Sequence, residues 1–134
     1  MEIKLLSVRE ATGKKLATPK AVWQEMKAEA QADRECLWVL HLNTKLAIIE
    51  KEIVSMGRLD AAMAHPREVF RKAVINSSDA IITVHNHPSG DCEPSQEDRE
   101  TWERLGKAGE ILGIEVTDNI IISPSGYYSQ KDAR

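Results

Sequence analysis

The chain has 134 residues, of which 42% are apolar and 29% are charged. This length and balance predict one domain with its own apolar core, and they exclude the low-hydrophobicity, high-charge composition of disordered chains. No apolar run reaches the roughly 18 residues that a membrane helix needs, and the N-terminus lacks the apolar stretch of a signal peptide. We therefore expect a cytoplasmic protein with no membrane partner.

The charges place a bound on the partners. Lys and Arg number 18 against 21 Asp and Glu, which gives a formal net charge of −3. Proteins that bind nucleic acid through its phosphates usually carry a basic face, so the charge does not support DNA association. The two cysteines, Cys36 and Cys92, form no CxxC pair, and we expect free thiols rather than a redox dithiol or a cysteine-based zinc knuckle.

In chain order, the sequence predicts helices and strands that alternate along the whole chain. The expected strands are 3–8, 36–42, 46–55, 80–84, 114–123 and 127–128. The expected helices are 18 to about 32, 65–76 and 95–113, and their buried faces include Val69, Phe70, Ala73 and Val74 and, in the third helix, Trp102, Leu105, Ala108 and Leu112. This alternation predicts an α/β fold, a three-layer sandwich around a mixed sheet.

The residues with the most chemical information follow the apolar run 80–84, which is typical of a fully buried central strand. His85 and His87 leave this strand together, and Asp98 lies one turn into the next helix. The motif therefore brings two imidazoles and one carboxylate to the C-terminal end of a central strand, where open α/β sheets usually place their sites. We expect the strand to bend there so that both imidazoles reach one ion.

Two histidines and one carboxylate suit Zn²⁺ with a fourth position left for water, which is the ligand set of a catalytic site. Such a water has a pKa of about 7 and is a nucleophile at neutral pH. A second interpretation competes, because Ser95-Gln96-Glu97-Asp98 also matches a helix capping box. The residue types alone leave metal binding and simple capping both open.

The spacing of these residues resembles the JAMM motif of JAB/MPN metalloproteases. His85-x-His87 is followed by ten residues and then by Asp98, and Ser95 lies three residues before the aspartate. Three separated segments also match, in order, the RadC family of bacterial proteins. They are HPREVF at 65–70, HNHPSGDCEPSQED at 85–98 and GEILGI at 109–114.

The resemblance covers about residues 18–128, nearly the whole chain. It implies a single RadC-like JAB/MPN domain over 1–134, in which 1–17 is an N-terminal extension without a helix-hairpin-helix domain. It also implies a fold similar to that of cytidine deaminases. Deaminase activity itself is excluded, because that chemistry needs HxE and PCxxC motifs that the corresponding segments do not hold.

The resemblance also assigns roles to side chains. His85, His87 and Asp98 would hold zinc, and Ser95 would stabilise an oxyanion. A glutamate upstream on another strand would act as the general base. Glu35, which precedes an apolar strand, matches that position, while Glu50 and Glu52 on the neighbouring strand are rivals.

Other polar residues carry weaker expectations. We expect His41 to be a structural histidine within its strand and His65 to act as an N-cap. Asn86, Ser89 and Asp91 suit two roles, either orienting the metal ligands or forming the turn.

The function implied by the resemblance is a zinc-dependent hydrolase of the JAMM type, which cleaves a peptide or isopeptide bond in an unidentified peptide or protein. Two alternatives stay open. One is a DNA-repair-associated binding module with a structural or vestigial metal site, and the other is a metal-independent scaffold on the same fold.

Overall fold

The computed structural model describes residues 15–16, 18–57 and 64–133. The predicted strand 3–8 and most of the expected extension 1–17 lie outside these residues. The elements in chain order are α1 (Pro19–Glu25), a 3₁₀ helix (Glu29–Gln31), β1 (Glu35–Leu42), β2 (Ile48–Gly57), α2 (Pro66–Ile75), β3 (Ala80–Asn86), α3 (Gln96–Leu112), β4 (Glu115–Ser123) and β5 (Gly126–Ser129). Among the described helices, none combines the length and the hydropathy needed to cross a bilayer.

The five strands form one mixed sheet in the order β2-β1-β3-β4-β5. The pair β3–β4, joined through α3, is parallel, and the other three pairs are antiparallel. Strand β3 lies in the middle of the sheet, and all of its residues are buried. The structure therefore confirms a mixed α/β fold with the histidine-bearing strand at its centre.

Helices cover both faces of the sheet. Because alternate residues of a strand face opposite sides, β1 contributes Leu40 to one core with Val22 of α1, and Val39 to the other core with Phe70 of α2 and Leu105 of α3. Helices α2 and α3 thus lie on one side and α1 on the other. This layering places the first turn of α3 beside the end of β3.

The helix ends follow the local sequence. The hydroxyl oxygen of Thr18 accepts a hydrogen bond from the Ala21 amide at 3.1 Å and caps α1. The His65 ring accepts one from the Arg67 amide at 3.2 Å and caps α2, as expected. Gly113 ends α3 with φ at 74°, a conformation that glycine adopts without strain.

Two expectations about the helices were wrong. Helix α1 ends at Glu25, and the chain continues through the separate 3₁₀ helix rather than as one helix to residue 32. Val74 and Leu112 are 55% and 49% exposed, not buried. Both lie in the last turn of their helix, and the last buried residue comes earlier, at Ala73 in α2 and at Gly109 in α3.

Candidate metal centre

His85 and His87 project from the same face of the sheet. His85 lies within β3, and the amide of His87 still donates to the Ile122 carbonyl at 3.1 Å, so the ladder with β4 continues through it. Residues i and i+2 of a strand share a face, so both imidazoles point toward α3. Our expectation that the strand must bend was therefore wrong, because an extended strand already aligns the two side chains.

The two imidazoles and the carboxylate of Asp98 form a compact group. The Nε2 atoms of His85 and His87 are 3.2 Å apart. Asp98 places Oδ1 3.5 Å from Nε2 of His85 and Oδ2 3.6 Å from Nε2 of His87. Zinc bonds of about 2.0–2.2 Å in tetrahedral geometry separate ligand atoms by about 3.4 Å. The three side chains therefore fit a single metal ion.

Asp98 is oriented by the first turn of α3. Its amide donates to the Ser95 hydroxyl oxygen at 3.0 Å, and the Ser95 amide donates to its Oδ2 at 2.9 Å. This is the capping box that the sequence predicts, and the capping carboxylate is the same one that faces the imidazoles. Capping and metal binding are thus compatible uses of one side chain.

His87 is oriented by the loop that follows it. Its Nδ1 donates to the carbonyl oxygen of Asp91 at 2.7 Å, which leaves the Nε2 lone pair facing the group. A metal-binding histidine usually donates its other ring nitrogen to such an acceptor. The backbone carbonyl of Asp91 therefore orients the ring of this candidate ligand. The Ser89 hydroxyl accepts a hydrogen bond from the Asp91 amide at 3.4 Å within this loop, and Ser89 lines the cleft that holds the candidate ligands.

The charges of the group reinforce one another. Its interaction with Asp98 raises the pKa of His87 above the ordinary value, against the opposing effect of burial, and the bond to Asp91 adds to this rise. Burial alone would raise the pKa of Asp98, but the two imidazoles and the Ser95 amide outweigh it and hold that pKa well below its usual range. Asp98 is thus ionised throughout the neutral range and ready to bind a cation.

Glu35 lies beside the group, at the first position of β1. It lines one cleft of about 580 Å³ together with the three candidate ligands and Ser95. Its negative charge is also among the influences that raise the pKa of His87, after that of Asp98. Strand alternation agrees with this placement, because Glu35 shares a face with Leu37, whose backbone pairs with His85.

The rival glutamates lie toward the other end of β1. In the β1–β2 register, Glu52 pairs with Val39 and Glu50 with His41. Glu52 contacts Nε2 of His41 at 3.0 Å, and Glu50 lies 2.8 Å from the Lys72 ammonium nitrogen. These contacts also fit the expectation that His41 is structural. Of the three glutamates considered, Glu35 is the one that lines the cleft with the candidate ligands.

Trp102 adds a wall that the sequence interpretation assigned only to the core. Its ring lies 6.2 Å from that of His85 and stacks on Tyr128 at a centroid distance of 6.2 Å. It also lines a second cleft of about 500 Å³, which shares His85 and Asp98 with the first and is lined in addition by Leu37, Thr83 and Leu105. Its position four residues after Asp98 places both on one helix face, a signal available in the sequence.

Comparison with known proteins shows that most of this chain is similar to one family of domains. Residues 16–134 match the family model of the RadC-like JAB domain. A UPF0758 protein of Pelodictyon phaeoclathratiforme is 46% identical over 121 residues, which cover 90% of this chain and 54% of that protein. A UPF0758 protein of Rubrobacter xylanophilus is 48% identical over 103 residues, covering 77% of this chain and 45% of that protein. One from Thermotoga maritima is 41% identical over 123 residues, covering 92% and 55%. The chain therefore spans about half the length of the curated relatives it matches.

Proposed function

We propose that this chain, which belongs to the RadC-like JAB domain family, catalyses the zinc-dependent hydrolysis of a peptide or isopeptide bond. The observation that carries it is the convergence of two Nε2 atoms and one carboxylate at spacings that suit one ion, beside an open cleft. We also propose that the helices and the sheet are arranged as in cytidine deaminases.

The ligand set favours zinc over the other common divalent ions. Two imidazole nitrogens and one carboxylate oxygen, held by His85, His87 and Asp98, leave one tetrahedral position for substrate or water, whereas Mg²⁺ and Ca²⁺ prefer oxygen ligands alone. Zinc bound there would polarise a substrate carbonyl and activate water for attack at neutral pH.

The neighbouring side chains supply the proton transfers and the charge stabilisation. The Glu35 carboxylate would accept a proton from the attacking water and pass it to the departing amine, as a general base and then a general acid. The Ser95 hydroxyl oxygen accepts a hydrogen bond from the Asp98 amide. The hydroxyl proton of Ser95 is not used in that bond, so it would be available to donate to a developing oxyanion. Both residues line the cleft around the candidate ligands, which supports these roles.

The second cleft suggests how a peptide would lie. It is lined by the apolar side chains of Leu37, Trp102 and Leu105 and by the charged side chains of Glu100 and Arg104. A peptide segment with an apolar side chain beside the scissile bond suits this combination of apolar and charged lining. The ligand set supports hydrolysis in general, and the choice of an amide bond rests on the family.

Metal analysis followed by hydrolysis tests this proposal. We expect one equivalent of zinc in the purified chain and its loss in Asp98→Ala, with Glu97→Ala, which removes the neighbouring acid of α3, as the matched control. The wild type should cleave members of a mixed peptide and isopeptide library detected by mass spectrometry. Glu35→Gln should keep zinc and lose the cleavage by about 100-fold or more.

Each other outcome is informative. A folded wild type that binds no zinc rejects the proposal. Zinc without any cleavage in the wild type rejects the hydrolase and retains the metal site. Salt-dependent retention on a DNA column in that case would favour a binding module of DNA maintenance.

A further inference from the structure

We infer that Asn86, the residue between the two histidines, is a positioning residue that fixes Glu35 beside the candidate metal centre. The inference rests on the proposed function, because it concerns the placement of the proposed base. It assigns a role to the middle position of the His-x-His motif, which holds no ligand of its own.

Asn86 points away from the histidines. Successive strand residues face opposite sides, so His85 and His87 face α3 while the Asn86 side chain enters the other layer. Asn86 is 1% exposed there and makes three hydrogen bonds to backbone groups. Its Oδ1 accepts from the Cys36 amide at 2.7 Å, and its Nδ2 donates to the carbonyl oxygens of Arg34 at 2.8 Å and Ala32 at 3.3 Å.

These bonds hold the backbone on both sides of Glu35. The Arg34 carbonyl precedes Glu35 and the Cys36 amide follows it. The Asn86 carboxamide is therefore hydrogen-bonded to both peptide groups that flank Glu35, and we call this arrangement the Asn86 clamp. The backbone pairing of β1 with β3 begins only at Leu37. At Glu35 the Asn86 side chain therefore takes the place of the strand ladder on the β3 side.

The chemistry of this clamp selects asparagine. The three bonds need one acceptor and two N–H donors on a short side chain, and a carboxamide supplies all of them. Aspartate lacks the donors, serine is too short to span the three groups, and glutamine is one methylene longer. Every polar atom of the buried Asn86 carboxamide is used, as burial of a polar group requires.

The consequence is mechanical coupling between ligands and base. Through Asn86, the segment that carries His85 and His87 also sets the position of Glu35. A shift of that segment would therefore move Glu35 with it. Loss of the clamp would leave the ligands in place and let the start of β1 move. A misplacement of about 1 Å can reduce turnover by about 100-fold.

The test compares Asn86→Ala and Asn86→Asp with Glu35→Gln and with a control, Asn43→Ala. Asn43 is also a backbone clamp, because its Oδ1 accepts from the Lys45 amide at 2.9 Å and the Ala47 amide at 3.1 Å, but it lies in the β1–β2 turn. Asn86→Asp keeps the size of the side chain and its bond from the Cys36 amide but removes both donors, and it is the second variant should Asn86→Ala fail to fold. Cobalt replaces zinc as a spectroscopic probe.

Three measurements are expected to agree. Both Asn86 variants should bind Co²⁺ with an affinity within about threefold of the wild type, since all three ligands remain. Their cobalt absorption spectrum should change in the same way as that of Glu35→Gln, and the spectrum of Asn43→Ala should not change. Amide hydrogen exchange at Cys36 should rise by about tenfold in Asn86→Ala and stay unchanged in Asn43→Ala.

Each contrary result has one meaning. If the wild type binds no Co²⁺, the proposed function fails and the positioning role fails with it. If Co²⁺ binds and Glu35→Gln alters the spectrum while neither Asn86 variant does, the metal site stands and the inference is overturned. If Glu35→Gln leaves the spectrum unchanged, Glu35 does not face the ion, which also overturns the inference. With a cleavable peptide in hand, Asn86→Ala combined with Glu35→Gln should have the same kcat as Glu35→Gln alone.

Discussion

Ser95 and Asp98 bind each other across the first turn of α3, because the amide of each residue donates to the side chain of the other, at 2.9 and 3.0 Å. The same Asp98 carboxylate lies 3.5 Å from His85 and 3.6 Å from His87. The Asp98 carboxylate, which takes part in the capping box of α3, is therefore also a candidate metal ligand. A change at Ser95 should affect helix stability and metal affinity together.

Ser95→Ala should lower the free energy of unfolding by about 1 kcal/mol through the lost cap. It should also weaken zinc binding by up to about tenfold, because the backbone amide of Asp98 loses its acceptor on Ser95 and the first turn of α3 is held less firmly, while the Ser95 amide still donates to Oδ2. Thr18→Ala is the matched control, since Thr18 caps α1 away from the site and should lower stability alone. Urea unfolding and competition with a chelator measure the two effects. Equal zinc affinity in Ser95→Ala and the wild type would contradict the prediction.

Zinc affinity should fall as the pH is lowered. Zinc needs the neutral imidazole, and the pKa of His87 is raised by Asp98, so protons compete with the metal at a higher pH than at an isolated histidine. The apparent affinity should decrease by up to about tenfold per pH unit for each proton displaced, as the pH falls from the neutral range to below the raised pKa of His87. Chelator competition at several pH values measures the slope. An affinity that is constant over this range would show that His87 is not a ligand.

Gly109 and Gly106 of α3 should respond oppositely to alanine. A Cβ at Gly109 would lie 2.4 Å from the Ile114 carbonyl oxygen, because α3 closely approaches the start of β4, whereas a Cβ at Gly106 would meet no atom within 4 Å. Gly109→Ala should destabilise the domain by about 1–3 kcal/mol. Gly106→Ala should stabilise it by up to about 1 kcal/mol through helix propensity. Thermal unfolding of the two variants compares them directly, and equal effects would disprove the close approach.

The parts of the fold that the sequence predicts are those governed by local rules. Thr18-Pro19, His65-Pro66 and Ser95 begin their helices because capping depends on a few neighbouring atoms. The apolar run at the start of β3 is central because only a strand covered on both faces is continuously apolar. The candidate ligands could be identified for the same reason, since their spacing along the chain is short.

The parts that the sequence does not decide depend on contacts between distant segments. Glu35 is distinguished from Glu50 and Glu52 by the pairing of β1 with β3, which places Leu37 opposite His85. The contacts of Asn86 with residues 32–36 span about 50 positions of sequence and have no local signal. The length of α1 depends on a break after Glu25 that helical periodicity alone does not indicate.

The buried His41 should make the domain less stable in mild acid. Its side chain is fully buried, with Nδ1 3.2 Å from the Ser78 hydroxyl and Nε2 3.0 Å from Glu52. Burial lowers the pKa of His41 and outweighs the opposing effect of Glu52. The unfolded chain, with an ordinary histidine pKa of about 6.5, therefore binds a proton more readily than the folded chain. The free energy of unfolding should fall as the pH drops below about 6.5, by at most about 1.4 kcal/mol per pH unit.

His41→Gln should flatten this dependence, because glutamine cannot titrate and its amide can still donate to Glu52. Urea unfolding of both proteins between about pH 5 and pH 8, each without metal, isolates the contribution of His41, since the other histidines are the same in both. The difference in stability between wild type and variant should shrink as the pH falls. A difference that is constant with pH would mean that His41 binds protons equally in the folded and unfolded chains, and the desolvation of its ring would then have no effect on stability.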